Sequence, residues 1–293
     1  MIKGSIVALI TPMTETGAID YNGLEQLIDF HLNEHTDGLL ILGTTGESPT
    51  LTQEEEEEIL RTTVKKVAGR LPVIAGAGTN ATAETCRKVQ RFAELGADQV
   101  LVITPYYNKT SEAGLLAHFK TIADASPVPI ILYHVPARTG LRLPIRVVEQ
   151  LAKHSMIIGI KEASGDMSYT MEVARFVNES FVLYSGNDDL TLPILSVGGI
   201  GVISVWANIQ PKIVHELVHD FNEGRLGAAK EKQLGALPVI NALFSETNPI
   251  PVKSAMNILG LPAGPLRLPL VSLDEKQIKQ LTVLLKQKGV YGQ

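Results

Sequence analysis

The sequence predicts an α/β fold, a (β/α)8 TIM barrel with a C-terminal helical extension, and three observations carry that prediction. Short β-rich apolar runs alternate with helical patterns, which implies a parallel sheet with crossover helices. There are eight such units with no large segment inserted between them, which favours a closed barrel over a doubly wound open sheet. After Gly224 the pattern changes and only helical stretches follow. The expected boundaries are residues 1–224 for a catalytic barrel and 225–293 for a helical region.

Taken in order, the first unit joins a strand near Ser5–Ile10 to a helix near Asn22–His35. The second pairs Gly38–Leu42 with Gln53–Ala68. Thr52 is a good N-cap for that helix, and carboxylates in a first turn favour its dipole, so Glu54–Glu58 reads as a solvated helix start and not as a metal site. The third and fourth units are Pro72–Ala75 with Ala81–Leu95 and Gln99–Ile103 with Glu112–Ala125. The fifth is Ile130–Tyr133 with Pro144–Lys153, and the sixth is Ile157–Lys161 with Tyr169–Val177. The seventh is Phe181–Tyr184 with Asp188–Ser196, and the eighth is Gly199–Ser204 with Pro211–Asn222. The tail carries Leu226–Phe244, Pro251–Leu259 and Asp274–Lys288, expected to pack on the barrel or on another subunit.

Composition excludes several function classes. Of 293 residues, 45% are hydrophobic and 19% charged, as in a soluble globular protein and unlike a disordered one. A net charge of −5 argues against a nucleic-acid or anionic-membrane surface. A single cysteine, Cys86, rules out an intrachain disulfide and a cysteine-based zinc cluster. No apolar stretch approaches bilayer length, and the run Ile6–Ile10 stops at Pro12, unlike a secretory signal. A cytoplasmic enzyme is the expectation.

The run Met156–Gly165 is apolar, ends on Lys161 and then turns polar. A lysine where a buried strand meets a loop loses hydration, so its pKa falls and the neutral amine becomes a nucleophile toward carbonyls. The competing reading has Lys161 snorkelling to solvent or pairing with Glu162. In a closed barrel the active site lies at the C-terminal strand ends. There the sequence places Gly43-Thr44-Thr45-Gly46-Glu47, Thr104-Pro105-Tyr106-Tyr107, Tyr133 with Arg138, Lys161, Ser185-Gly186-Asn187-Asp188 and Ile203-Ser204. Hydroxyls, phenols, one arginine and one lysine suit carbonyl chemistry through an imine. No carboxylate pair, Ser–His–Asp order or metal triad appears, and neither a metal nor a cofactor is expected.

Other motifs fit less well. Gly43–Glu47 lacks the ending of a P-loop; its N–H groups and the Thr45 hydroxyl suit a carboxylate, although alone it reads as a tight connection. Gly76–Ala81 has the form of a dinucleotide fingerprint, but the following strand ends on Thr104-Pro105 without the ribose-binding acid. His215-Glu216-Leu217-Val218-His219 and His31-Leu32-Asn33-Glu34-His35 have zinc-site spacings. Both lie toward the C-terminal ends of barrel helices, opposite the strand-end rim, and read as solvated or packed residues. A zinc peptidase is the alternative from a different class.

The segments GTTGE at 43–47, TPYYN at 104–108, YHVPARTG at 133–140, GIKEASG at 159–165 and NPIPVK at 248–253 carry a resemblance over essentially the whole chain. In order and spacing the sequence resembles the dihydrodipicolinate synthase family, also called 4-hydroxy-tetrahydrodipicolinate synthase. The resemblance implies a homotetramer of two tight dimers that condenses pyruvate with L-aspartate 4-semialdehyde on the way to diaminopimelate and lysine. By position it implies that Lys161 forms the Schiff base and that Tyr133 donates and accepts protons. Thr44 would link Tyr133 to the Tyr107 of a neighbouring subunit. Thr45 would bind the pyruvate carboxylate and Arg138 that of the aldehyde, with Gly186 and Ile203 lining the pocket. Ser48, Asn80, Glu84 and Tyr106 match a lysine-binding cleft at the dimer interface. Two positions depart. His134 stands where the family usually has Asn, on the opposite strand face from the site. Gln53 and Glu56 stand where lysine-inhibited members often have histidines, so weak or absent inhibition by lysine is expected. A related lyase such as N-acetylneuraminate lyase is the runner-up; Arg138-Thr139-Gly140 and the Thr44-Thr45 pair favour the first reading.

Overall fold

The computed structural model describes residues 1–290. Eight parallel strands close into a barrel in sequence order. They are β1 (Gly4–Ala8), β2 (Gly38–Ile41), β3 (Val73–Gly76), β4 (Gln99–Ile103), β5 (Ile130–His134), β6 (Ile157–Glu162), β7 (Val182–Ser185) and β8 (Gly201–Ser204). Closure sets Gly4 against Gly201. A side chain on Gly201 would put its Cβ 2.1 Å from the Gly4 carbonyl oxygen, so the seam is built from residues without one.

The strands are apolar on both faces because both are covered. Alternate residues point inward, where Ile6, Ala8, Leu40, Ile74, Leu101, Ile131, Tyr184 and Ile203 fill the barrel. The intervening ones, such as Val7, Leu39, Ile41, Val100, Leu132 and Ile160, pack outward against the helices. The helix shell runs α1 (Tyr21–Asn33), α2 (Gln53–Val67), α3 (Thr82–Glu94), α4 (Glu112–Ala125), α5 (Pro136–Thr139), α6 (Ile145–Leu151), α7 (Met167–Ala174), α8 (Thr191–Ser196) and α9 (Pro211–Asn222). Thr52 caps α2 in a reciprocal box with Glu55, as its sequence predicts.

Three differences from the sequence reading have local causes. α7 starts two residues earlier than expected because Asp166 accepts from the Tyr169 N–H and becomes the cap. The Pro136–Thr139 turn is helical; Pro136 presets its first residue and left-handed Gly140 ends it. β5 and β6 each run one residue further, to His134 and Glu162, which pair with each other.

The tail forms α10 (Leu226–Leu243), α11 (Ile250–Ile258) and α12 (Glu275–Gln287). It reaches back to the strand-end rim. Lys253 of α11 is buried and donates to Glu47 Oε1 at 2.9 Å, to the Thr11 carbonyl at 3.1 Å and to the Pro265 carbonyl at 2.6 Å. Glu47 Oε2 accepts from the Arg267 backbone N–H at 2.9 Å. The ion pair is satisfied on both sides, the condition under which a buried pair persists.

Candidate active site

Register brings the two central residues together. β5 and β6 pair Tyr133 with Lys161, and both side chains point into the barrel mouth. Lys161 is 5% exposed, and its Nζ lies 4.5 Å from the Tyr133 ring centre. Burial pushes its pKa down to about 8; the Asp188 carboxylate opposes this and the Arg138 guanidinium adds to it. A useful fraction of neutral amine therefore exists near pH 7. Neither competing reading of Lys161 holds. The side chain is buried, and Glu162 points to the opposite strand face, where its carboxylate accepts from the Ser164 N–H at 2.8 Å and from the Ser164 hydroxyl.

The Tyr133 phenol is pushed up by burial, while Arg138 and a hydrogen bond with the Thr44 hydroxyl pull it back down. It keeps its proton at neutral pH and so could donate one. Behind this pair, on the helix side, His134 and Glu162 are fully buried with Nδ1 and Oε2 3.4 Å apart. His134 Nε2 accepts from the Leu143 N–H at 3.2 Å, so its second nitrogen carries the proton toward Glu162. His134 thus faces away from the site and braces the two strands.

The remaining rim residues come from four elements. Thr44 and Thr45 sit on the loop after β2, held by the Thr11 hydroxyl bonding the Gly46 carbonyl at 2.7 Å and by Glu47 in a left-handed conformation, φ 55°. Thr45 is buried and accepts from Asn248 Nδ2 at 2.9 Å. Arg138 is anchored through Nη2 to the Asn248 carbonyl at 2.8 Å, and toward the described residues the rest of its exposed fork is open to meet an anion. Gly186 lies against the lysine stem; a Cβ there would stand 3.1 Å from Lys161 Cε and 2.6 Å from Ala163 Cβ. Ile203 is buried inside the barrel.

Several partnerships escaped the sequence reading, which placed Asp188 on the rim without a role. Asp188 is fully buried; its Oδ2 accepts from the Val205 and Trp206 N–H groups at 3.0 and 2.9 Å. Burial raises its pKa despite those bonds and the nearby Lys161. Asn248 and Lys253 come from the tail, distant in sequence from every strand end, so no local spacing points to them; the NPIPVK segment marked only their place in the resemblance.

A cavity of about 310 Å³ runs from Thr44 and Tyr133 outward to Ser48, Gln53, Glu84 and Tyr106. Glu56 and Lys88 face each other in its wall, Nζ to Oε1 at 2.7 Å, both largely buried. Asn80 takes another position, its carbonyl accepting from Asn108 Nδ2 at 2.9 Å. Tyr107 does not join the site of its own chain. It is 92% exposed and holds a left-handed backbone, φ 69°, uncommon for a bulky residue.

The zinc-like spacings lie away from the rim. His215 Nδ1 meets Asp37 Oδ2 at 2.9 Å, just before β2 and so on the N-terminal barrel face, and its ring stacks on His219. His31 is fully buried against the Thr36 hydroxyl at 2.9 Å, and burial drives its pKa down to about 3. Among the described residues no group of three or more His, Cys, Asp or Glu side chains is placed to hold a metal ion. None of the described helices is long and apolar enough to cross a membrane.

Comparison with known proteins gives a consistent picture. The sequence model of the dihydrodipicolinate synthetase family matches residues 1–288. A 4-hydroxy-tetrahydrodipicolinate synthase of Thermoanaerobacter sp. (strain X514) is 48% identical over 291 residues, covering 99% of this chain and 98% of that protein. The crystal structure of dihydrodipicolinate synthase from Aquifex aeolicus superposes with a TM-score of 0.95 at 43% identity, covering 98% of each chain. That of the Acinetobacter baumannii dihydrodipicolinate synthase, complexed with pyruvate, superposes with a TM-score of 0.96 at 39% identity, covering 99% of this chain and all of that one.

Proposed function

The chain belongs to the dihydrodipicolinate synthetase family, and we propose that it condenses pyruvate with L-aspartate 4-semialdehyde through a Schiff base on Lys161 to give 4-hydroxy-tetrahydrodipicolinate. One observation carries the mechanism: a buried lysine with pKa lowered to about 8 packs against the ring of a protonated, buried tyrosine at the barrel mouth.

The neutral Lys161 amine adds to the pyruvate ketone carbon. Loss of water from the adduct, its oxygen protonated through Tyr133, leaves an iminium. That cation is an electron sink, so the methyl group loses a proton to give an enamine, which attacks the aldehyde carbon. The amine of the aldehyde substrate then displaces Lys161 from the iminium carbon, closing the ring and regenerating the lysine. Each stage moves a proton, and an ordinary phenol with a pKa near 10 needs a hydrogen-bonded relay to do so. Thr44 supplies the first link. We assign the second to the partner subunit's Tyr107. The exposure of Tyr107 on its own chain, held out on a left-handed turn, supports a role across an interface.

Thr45 binds the pyruvate carboxylate, Arg138 binds that of the aldehyde with a planar fork that lysine lacks, and Gly186 and Ile203 shape the pocket. Positive charge from Arg138 also depresses the Lys161 pKa, favouring the nucleophilic form. On this reading the enzyme is a cytoplasmic homotetramer, a dimer of dimers, with residues 1–224 as catalytic barrel and 225–293 as helical region. Ser48, Asn80, Glu84 and Tyr106 mark an interface cleft whose response to lysine is weak.

Borohydride reduction in the presence of pyruvate tests the chemistry. The expected result is one pyruvate-derived adduct per chain, mapped by peptide mass to Lys161; no adduct would sink the imine mechanism.

A further inference from the structure

The carboxylate-binding residues of the proposed function, Thr45 and Arg138, come from different loops of the barrel, yet both are tied to one residue of the tail. Asn248 donates from Nδ2 to the Thr45 hydroxyl at 2.9 Å and accepts from Arg138 through its backbone carbonyl at 2.8 Å. Asn248 is 7% exposed. We propose that Asn248 is a positioning residue that fixes the Thr45 hydroxyl as a hydrogen-bond donor toward the substrate carboxylate, an inference that rests on the pyruvate-binding role given to Thr45 above.

A hydroxyl has one proton and two lone pairs. Among the described residues the bond from Asn248 is the one made by the Thr45 side chain. It occupies a lone pair and leaves the proton for an outside acceptor, so the group facing the site is a donor and suits an anion. The amide orientation follows from the same accounting. As placed, Oδ1 is buried without a partner and one of the two N–H groups is used, by Thr45. Turned over, the amide would leave both N–H donors unpaired in its place and the Thr45 proton consumed by the asparagine. The two contacts of Asn248 also differ in kind. Thr45 is held by the side chain and Arg138 by the backbone, so a substitution at 248 touches the first selectively.

Asn248→Asp is the informative change. An aspartate accepts the Thr45 proton, turning the donor inward, and adds a negative charge beside the carboxylate site. Asn248→Ala only removes the donor and lets the hydroxyl rotate. The expected result is a rise of about tenfold or more in the pyruvate KM for Asn248→Asp, a smaller rise for Asn248→Ala, and less than about threefold change in the aldehyde KM for either, from the loss of a charge-assisted bond. In a double-mutant cycle with Thr45→Val, Asn248→Ala is expected to add little to the pyruvate KM, since its effect passes through the hydroxyl. Additive effects in that cycle, or equal losses for both substrates, overturn the proposal. If Asn248→Asp does not fold, the Asn248→Ala and Thr45→Val cycle decides alone, read as the pyruvate concentration giving half-maximal borohydride trapping. Trapping of the unsubstituted protein separates the two levels: no adduct there overturns the imine reading and this inference with it, whereas a Lys161 adduct whose pyruvate dependence is unmoved by Asn248→Ala overturns only the inference.

Discussion

Lys161 Nζ lies 4.5 Å from the centre of the Tyr133 ring, and the two residues are direct partners in the β5–β6 register. The backbone ladder thus sets the proposed nucleophile beside the proposed proton donor. On the reverse face the next pair, His134 and Glu162, is buried, hydrogen-bonded to Leu143 and to the partly buried Ser164, and pins the same register. Positioning of this kind lowers the entropy that reaching the transition state demands.

Removing the amine is expected to abolish turnover. Lys161→Ala should show no detectable condensation and no borohydride-trapped adduct, measured by coupled assay and intact mass. Retained activity would show that the nucleophile lies elsewhere.

The pH dependence follows from the lowered lysine pKa. The reactive free amine grows as pH rises toward about 8, so kcat/KM for pyruvate should climb up to that point and then level off. Stability has its own sign. Below pH 8 the folded state holds a buried ammonium at a cost; between about 8 and the unfolded value near 10.5 the folded lysine is neutral while the unfolded one stays charged, so stability rises with pH. Lys161→Met should therefore be more stable than the parent at pH 7, by on the order of 1–3 kcal/mol, with the difference shrinking as pH rises above 8. Denaturant unfolding across that range measures it, and a constant difference would contradict the titration.

Arg138→Ala should discriminate between substrates. Loss of a charge-assisted contact predicts a rise of roughly tenfold or more in the aldehyde KM and a much smaller one for pyruvate. Steady-state kinetics with each substrate varied in turn reads this directly; matched losses would remove Arg138 from its assigned role.

Gly186 leaves room for the lysine stem. Its added Cβ would approach Ala163 Cβ at 2.6 Å, the Glu162 carbonyl oxygen at 2.9 Å and Lys161 Cε at 3.1 Å. Gly186→Ala should cost about 1–3 kcal/mol of stability and slow adduct formation. An unchanged Tm in thermal unfolding together with an unchanged trapping rate would argue against the crowding.

Lysine should be a poor inhibitor. Lys88 presents its own ammonium 2.7 Å from Glu56 in the wall of the cavity that carries Ser48, Glu84 and Tyr106. L-lysine at millimolar concentration is expected to lower the rate by less than about twofold, since its ammonium must displace a largely desolvated pair. Strong inhibition at micromolar lysine would refute this.

The sequence by itself determined the alternation of strand and helix, the eight-unit count and which residues follow each strand. These are local properties: apolar runs, helix caps, and residues that follow a strand directly. Lys161, Tyr133, Thr44, Thr45, Arg138 and Gly186 were legible for that reason. Strand alternation turns Glu162 away from Lys161 once β6 runs on to it, but tertiary structure alone decided that Asp188, a strand further on, becomes the carboxylate that the lysine feels. It decided too that Asn248 and Lys253 of the tail close over Thr45 and Glu47, about two hundred residues earlier in the chain. Such contacts depend on the closure of the barrel and the return of the tail across its rim, distances that sequence spacing does not encode. For the same reason the two histidine motifs, correct in spacing, have no part in the site: their helices place them at the N-terminal face, where His215 meets Asp37.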